Sequence, residues 1–302
     1  MDNTTSYNDD CFFSVIIIVR DRWDELALCL ESLINQHENP PFQVIVIDDG
    51  SKKNAPVYFS SYSSHIDIKF IQQNPLGIAF ARNNGLRNSE GQIILFTDSD
   101  CILSRHCLKN LANTIQKFNS DVAFQLKFIS SNDSLLFKLV DLRSRVLQQF
   151  LILNSGYIRC INTSGFAIKK SFVQDNEISY DTKYIRGSDS GLLLKIFNKN
   201  LLPRYASDAV VYHLPRMPLL KYIFGHLSRG YYDGPVLHEL NQAGNIRLTM
   251  PEKFRMSMEL WRQSKGTLAF ILVMVTYILE LSGRLVYRLI KSGQIFKSVI
   301  IS

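Results

Sequence analysis

Residues 93–102, IILFTDSDCI, place an apolar run directly before two carboxylates. The run at 93–96 has the length and composition of a buried strand. Asp98 and Asp100 are separated by one residue, so in an extended chain their side chains point the same way. Such a pair fits a divalent-cation site, because the cation relieves the mutual repulsion. It equally fits a solvated polar turn, and the motif alone does not decide between the two.

The chain around this stretch alternates between apolar runs and helix-like segments. Predicted strands cover residues 13–19, 44–47, 66–71, 93–96 and 209–212, and predicted helices cover 24–36, 78–86, 104–118 and 135–153. Near-continuous apolar strands separated by amphipathic helices are typical of a parallel sheet covered on both faces. We therefore predict an α/β fold, a Rossmann-like and mostly parallel sheet flanked by helices.

Polar clusters follow the predicted strands, where ligands bind in sheets of this kind. They are Arg20-Asp21-Arg22, Asp48-Asp49 and Asp98-Ser99-Asp100. Their shared position makes a ligand role plausible for each, although Asp48-Asp49-Gly50-Ser51 is also a good turn sequence.

Three further side chains are candidates for the same edge of the sheet, and each also has a structural explanation. Arg82 lies on a predicted helix and can be a solvated charge. His213 ends a predicted strand, where it can complete a metal site or only pack. Asp189 begins an amphipathic helix, where capping and the helix dipole favour an acid without any function.

Composition excludes several classes of protein. With 46% hydrophobic and 20% charged residues in 302, the chain is neither disordered nor fibrous. Its five cysteines include no C-x-x-C pair, so we expect no zinc or disulfide framework and a reducing, cytoplasmic location. The polar, acidic start MDNTTSYNDD lacks the features of a secretory signal.

The C-terminal part is apolar and basic. Residues 268–279, LAFILVMVTYIL, are uncharged but too short to span a bilayer, which takes ~20 residues. An extension to residue 286 includes Glu280 and Arg284. Beyond it, aliphatic residues alternate with Arg288 and Lys291, as in a basic helix lying in a membrane interface. We expect residues 265–302 to contact the cytoplasmic face of a membrane; the alternative is a pair of helices packed on the domain or on a second subunit of a homo-oligomer. A nucleic-acid partner is not expected, because the basic residues form no groove.

The order of motifs resembles family 2 inverting glycosyltransferases with the GT-A fold. The donor-binding half is matched by SVIIIV (14–19), VIVIDDGS (44–51), NPLGIAFARNNGL (74–86) and GQIILFTDSD (91–100). The acceptor half is similar to NTSGFAI (162–168), SYDTKY (179–184) and GSDSGLLLKIF (187–197), and VVYH (210–213) to a strand-end histidine. The resemblance implies a polar extension (1–12), a GT-A domain (13–215, with donor half 13–101 and acceptor half 102–215) and a helical, membrane-associating region (216–302).

The resemblance also implies a role for each candidate residue. Donor-binding residues would be Val19, Arg20, Asp49, Arg82, Asp98 and Ser99. Asp49 would contact the base, Arg82 would lie beside base and ribose, and Asp98 would hold ribose and diphosphate. Asp100 and His213 would bind Mn²⁺ or Mg²⁺, and Asp189 would be the catalytic base. The implied reaction moves a sugar from a nucleotide-sugar donor, a UDP-sugar, to a glycan or lipid-linked sugar acceptor with inversion, in cell-surface polysaccharide or glycolipid assembly.

Two departures from the family pattern leave alternatives open. Arg20 stands where a ring often packs on the base, and Ser188 replaces a glutamate before the catalytic position. A non-catalytic scaffold or sugar-binding subunit would explain both. A sugar nucleotidyltransferase is less well supported, because it needs a glycine-rich loop after the first strand and no glycine lies between Cys11 and Pro41.

Overall fold

A computed structural model describes residues 12–130, 135–214, 219–233, 236, 238–240, 248–264 and 267–291. The strands are β1 (Phe13–Val19), β2 (Phe42–Asp49), β3 (Asp67–Gln73), β4 (Ile93–Asp98), β5 (Cys101–Leu103), β6 (Ala123–Ser130), β7 (Phe166–Lys169) and β8 (Arg204–His213). The α-helices are α1 (Trp23–Ile34), α2 (Ile78–Asn88), α3 (Cys107–Lys117), α4 (Leu135–Leu151), α5 (Lys170–Asp175), α6 (Ser188–Phe197), α7 (Leu219–Tyr232), α8 (Met250–Gln263) and α9 (Thr267–Lys291).

In the described part of the chain, eight strands form one mixed sheet in the order β3-β2-β1-β4-β7-β6-β8-β5. The first four are parallel, β7 is antiparallel to β4 and β6, and β5 is antiparallel to β8. The predicted α/β architecture is thus confirmed. The parallel arrangement brings the carboxyl ends of β1, β2 and β4 together at one edge.

Both faces of the sheet are covered, which explains the continuous apolar runs. In β1, Val15 and Ile17 pack in a core with α1 and α3, whereas Ile16 packs in a second core with α2 and α6. A strand buried on both faces needs apolar residues at successive positions rather than at every second one.

Several predicted boundaries were wrong. Strand β2 is longer than 44–47 and includes Asp48 and Asp49, and β8 is longer than 209–212. Strands β5, β6 and β7 were not predicted, because β5 and β7 have only three and four residues and β6 interrupts its apolar pattern with Gln125 and Lys127. Strand β4 ends at Asp98, so Asp100 lies in the turn before β5 and not in the strand.

The C-terminal region is helical, as predicted, but the apolar run and the first part of the basic stretch form a single helix, α9, rather than two. None of the described helices is both long enough and apolar enough to span a membrane. Helix α9 packs closely on α7, since a Cβ on Gly230 would lie 2.1 Å from the Glu280 carbonyl oxygen. Residues 1–11 of the predicted polar extension (1–12) lie outside the described residues, and so do residues 265–266 and 292–302 of the segment predicted to contact a membrane (265–302).

Candidate active site

A cavity of about 340 Å³ opens at the carboxyl ends of β1, β2 and β4. Its size lies in the usual range for small-molecule sites. The residues that line it are Ile18, Val19, Arg20, Arg22, Asp49, Ile78, Asp98, Ser99, Asp100 and His213. Seven of the predicted site residues therefore share one cavity, and the other two, Arg82 and Asp189, connect to it through Asp98.

Asp100 lies between a histidine and an arginine. Antiparallel pairing of β5 with β8 sets His213 opposite Cys101, and the His213 Nε2 atom lies 3.4 Å from Asp100 Oδ2. The guanidinium of Arg22 contacts the same oxygen. Burial raises the pKa of Asp100, but the hydrogen bond and charge of His213 and the charge of Arg22 outweigh it and hold the pKa below its ordinary value.

Asp98 has different partners. Its Oδ2 atom accepts a hydrogen bond of 2.6 Å from the Ser164 hydroxyl, and its Oδ1 atom lies 3.6 Å from the Arg82 guanidinium. The side chain of Asp98 is 30% exposed and that of Asp100 is 11% exposed. The two carboxylates face one cavity but belong to separate networks, so this stretch is not a solvated turn.

Arg82 is a buried bridge and not a solvated helix charge. It is 5% exposed, and its Nη1 atom donates to Asp189 Oδ1 at 2.8 Å and to the Ser188 hydroxyl at 3.1 Å. Burial acts to lower the pKa of Arg82, but Asp189, Tyr180 and Asp98 raise it, so the guanidinium stays charged. Arg82 thus links Asp98 to Asp189, and the Ser188 hydroxyl accepts a further hydrogen bond from Arg82.

Asp189 is held from across the molecule rather than by its own helix. It lies in the first turn of α6, whose N-cap, Gly187, has a left-handed φ of 79° and makes no side-chain cap. The Thr163 hydroxyl lies 3.0 Å from both carboxylate oxygens and the Thr163 amide donates to Oδ2 at 3.3 Å. The capping explanation therefore does not describe this carboxylate, which is positioned by Thr163 and Arg82 and remains 30% exposed.

The carboxylate of Asp49 lines the cavity and also organises its wall. Its Oδ1 atom accepts from the Leu76 amide at 3.0 Å and from Gln73 at 2.9 Å, and its Oδ2 atom accepts from the Gly77 amide at 3.0 Å. Gly77, with φ of 99°, makes the turn into α2. Asp49 therefore fixes the loop that carries the wall residue Ile78.

Three residues that hold this site together were not predicted from the sequence: Thr163, Ser164 and Tyr180. The Thr163 hydroxyl binds Asp189 and the Ser164 hydroxyl binds Asp98. The Tyr180 ring lies 5.3 Å from the Arg82 guanidinium. The available signal was the pair of hydroxyls in NTSGFAI, just before β7. Because β7 pairs with β4, those hydroxyls lie beside the end of β4.

The residues present could hold a divalent cation if most of the cation's ligands come from outside the protein. Within the described ranges, no group of three or more His, Cys, Asp or Glu side chains is arranged to hold a metal. Asp100 and His213 supply two adjacent ligand atoms facing the cavity, and Mg²⁺ commonly takes one or two carboxylates plus substrate phosphates. Arg22 must leave the shared oxygen for a cation to bind there.

Residues 14–176, more than half of the chain, match the family described as Glycosyl transferase family 2. The poly(ribitol-phosphate) beta-N-acetylglucosaminyltransferase TarP of Staphylococcus aureus is 26% identical over 172 residues, 56% of this chain and 52% of that protein. The curated relatives that the chain matches are longer, and it spans between about a tenth and about a half of their length.

Solved structures share the fold. S. aureus TarS 1-349 in complex with UDP-GlcNAc aligns with a TM-score of 0.58 at 18% identity, covering 95% of this chain and 93% of that one. The mannosyltransferase PcManGT from Pyrobaculum calidifontis, in complex with GDP-Man and Mn²⁺, aligns with a TM-score of 0.60 at 14% identity, covering 93% and 86%.

Proposed function

The chain belongs to glycosyl transferase family 2, and from that premise we propose that it moves a sugar from a UDP-sugar to an acceptor hydroxyl with inversion. One observation carries the proposal: Asp98 and Asp100 face a single cavity at the strand ends, and Arg82 joins Asp98 to Asp189. Nucleotide sugars bound to two proteins of the same fold support this class of donor.

In this proposal the donor occupies the cavity. Val19, Arg20, Asp49 and Ser99 surround the nucleoside, and Asp98 faces the ribose and diphosphate. The guanidinium of Arg20 offers a planar surface for the base. Arg22 lines the cavity beside Asp100 and would supply positive charge on the diphosphate side.

Asp100 and His213 would hold Mn²⁺ or Mg²⁺. A divalent cation, when bound, offsets the negative charge that develops on the leaving nucleoside diphosphate. Asp100, as an aspartate, is ionised at neutral pH and can serve as an oxygen ligand for such a cation.

Asp189 acts as the general base. It accepts the proton of the acceptor hydroxyl as the oxygen bonds to the anomeric carbon and the bond from that carbon to the diphosphate oxygen breaks. Thr163 and Arg82 hold the carboxylate in one orientation, so little freedom is lost when the acceptor binds. A single displacement from the opposite face inverts the anomeric centre.

Asp189→Asn tests the assignment. General-base catalysis contributes about 10²–10⁴-fold, so we expect UDP release to fall by at least about 100-fold while UDP binding in calorimetry is retained. Asp208→Asn, an exposed aspartate of β8, is the control and keeps wild-type turnover. Near-normal turnover of Asp189→Asn would remove the base role. Donor binding without any turnover by the unsubstituted chain, across a panel of donors and acceptors, would favour a sugar-binding subunit.

We further propose that the reaction takes place at the cytoplasmic face of a membrane, in polysaccharide or glycolipid assembly. The name of TarP describes a transferase that acts on a polymer, poly(ribitol-phosphate). Helices α8 and α9 expose large apolar side chains beside basic ones. Such surfaces suit a lipid interface. Removal of residues 265–302 should reduce co-sedimentation with anionic vesicles, and unchanged sedimentation would count against the anchor.

A further inference from the structure

The loop after β1 has a backbone conformation that few residues favour. Asp21 lies between Arg20 and Arg22 and has a φ of 56°, in the left-handed region. A residue other than glycine is uncommon there, although aspartate and asparagine tolerate the region better than most. Such a conformation persists only where the surrounding structure imposes it. Arg20 and Arg22 both line the donor cavity, so this conformation occurs where the loop presents two cations to the site.

Strand pairing does not hold this loop in place. The ladder between β1 and β2 ends at the pair of Val19 and Asp48, so residues 20–22 and 50–53 lie beyond it. The two segments therefore need other contacts to keep a fixed arrangement at the edge of the cavity.

Hydrogen bonds of Asp21 join the two segments. Its Oδ1 atom accepts from the Lys52 amide at 2.7 Å, and its own amide donates to the Ser51 hydroxyl at 2.8 Å. The Ser51 hydroxyl donates in turn to Asp48 Oδ1 at 2.6 Å. These four residues, Asp21, Asp48, Ser51 and Lys52, form the loop network. Beside it, the indole of the buried Trp23 donates to the carbonyl oxygen of the residue after Lys52 at 3.1 Å, which fixes the end of the loop that leads into α1.

We propose that Asp21 is a positioning residue for the donor, which acts through Arg20 and Arg22 by fixing the loop that presents both guanidinium groups to the cavity. The proposal rests on the proposed function, in which these two arginines contact the nucleotide.

The two arginines differ in what they can offer a ligand. Arg22 pairs with Asp100, whereas no carboxylate of the described residues pairs with Arg20. Arg20 is exposed, and ordering its long side chain and the loop on binding costs free energy. A loop that is already fixed avoids the backbone part of that cost. With the backbone of Arg22 held, rotation of its side chain alone can exchange Asp100 for a diphosphate oxygen.

The loop network can be removed without unfolding the protein. Asp21 and Lys52 are both exposed, so loss of their hydrogen bond leaves no buried polar group unsatisfied. Neither residue belongs to the two apolar cores. The consequence of removing Asp21 should therefore appear in ligand binding.

The test is UDP binding by the full chain, measured by calorimetry at saturating Mn²⁺. Asp21→Ala removes the acceptor of the Lys52 amide, so UDP binding should weaken about 10-fold, as expected when the backbone of one residue is ordered on binding. Asp21→Asn keeps an acceptor oxygen and tolerates the left-handed region, so it should restore UDP affinity to within about 2-fold of the wild type. Asp24→Ala, an exposed acid in the first turn of α1, is the control and should bind UDP like the wild type.

A second background shows whether Asp21 acts through the arginines. In the double variant Arg20→Gln, Arg22→Gln, the further change Asp21→Ala should weaken UDP binding less than about 2-fold, because no guanidinium remains to be positioned. An equal loss in both backgrounds would indicate a general structural effect and would overturn the proposal. Equal UDP affinity of the wild type and the double variant would overturn it too. If Asp21→Ala fails to fold, Ser51→Ala removes the other side of the loop network and should weaken UDP binding only where both arginines are present.

The positioning role and the proposed function fail differently. UDP binding that is unchanged by Asp21→Ala would refute the positioning role alone. A wild-type chain that binds no nucleoside diphosphate, whatever its base, would refute the proposed function. The same variants measured with inorganic diphosphate would then decide the positioning role, which requires weaker binding by Asp21→Ala than by Asp21→Asn.

Discussion

Replacing Arg82 with methionine removes the cation that separates Asp98 from Asp189 while keeping a side chain of similar volume. Arg82 is 5% exposed, binds Asp189 at 2.8 Å and Ser188 at 3.1 Å, and lies 3.6 Å from Asp98. Methionine fills the space but leaves Asp98 and Asp189 without their common partner. The substitution should therefore destabilise the folded protein through uncompensated charge and not through an unfilled cavity.

Breaking a buried ion pair by removing one partner costs about 3–5 kcal/mol. The carboxylates here are each 30% exposed, so water recovers part of that penalty. We expect Arg82→Met to lower the free energy of unfolding by about 2 kcal/mol, with an unchanged urea m-value. Arg87→Met, an exposed arginine of the same helix, should cost less than about 0.5 kcal/mol.

A double-mutant cycle identifies the cause. In the Arg82→Met background, Asp189→Asn removes a charge that has lost its partner, so it should cost at least about 1 kcal/mol less than in the wild type. Additive costs would show that Arg82 and Asp189 do not interact energetically. A cost of Arg82→Met below about 0.5 kcal/mol would refute the bridge itself.

Three further predictions concern the helical region and the proposed cation site. Gly230→Ala should lower the free energy of unfolding by about 2–3 kcal/mol, because its Cβ would overlap the backbone of Glu280. Gly225→Ala is the control: its Cβ would meet nothing within 4 Å, so it should be neutral or stabilising. Thermal unfolding of both variants measures the difference. Burial raises the pKa of Glu280, but the His226 hydrogen bond and nearby arginines lower it to about 2. This depressed pKa contributes up to about 3 kcal/mol of stability, which is present above pH ~4.5 and lost as the pH falls towards 2. Urea unfolding at a series of pH values should therefore show that Glu280→Gln loses less stability on acidification than the wild type. Arg22→Gln removes a half-exposed competing cation and should strengthen Mn²⁺ binding, measured by electron paramagnetic resonance, up to about 5-fold; weaker Mn²⁺ binding would show that Arg22 does not compete.

The donor half of the molecule could be predicted because its signals are local. Strands β1, β2 and β4 are buried on both faces, so each consists mainly of apolar residues. The polar site residues follow at the carboxyl end of each apolar run. Parallel topology then brings Val19, Asp49 and Asp98 to one edge without further information. The position of His213 also followed from the end of a short apolar run, although the strand itself proved longer.

The partners of the acidic residues could not be predicted, since they come from distant segments. Ser164 reaches Asp98 through the antiparallel pairing of β7 with β4, and no local pattern indicates that pairing. The burial of Arg82 depends on Tyr180 and Ser188, about a hundred residues away along the chain. Strand β6 was missed for a similar reason. Its apolar pattern is interrupted by Gln125, whose side chain is buried because it donates to the Gly165 carbonyl oxygen at 2.8 Å, and Gly165 lies in a distant segment.

The two aspartates of IILFTDSDCI have different partners because different strands pair beside them. Pairing of β4 with β7 gives Asp98 the Ser164 hydroxyl, and Arg82 connects it onward to Asp189. Pairing of β5 with β8 gives Asp100 the imidazole of His213. One turn therefore joins a network that orients the proposed base to another that would hold the proposed cation. Among the residues that the structure describes, the two networks meet at this turn. Substitutions of Asp100 or His213 should therefore change the affinity for the proposed cation without releasing the base, and substitutions of Arg82 should do the reverse.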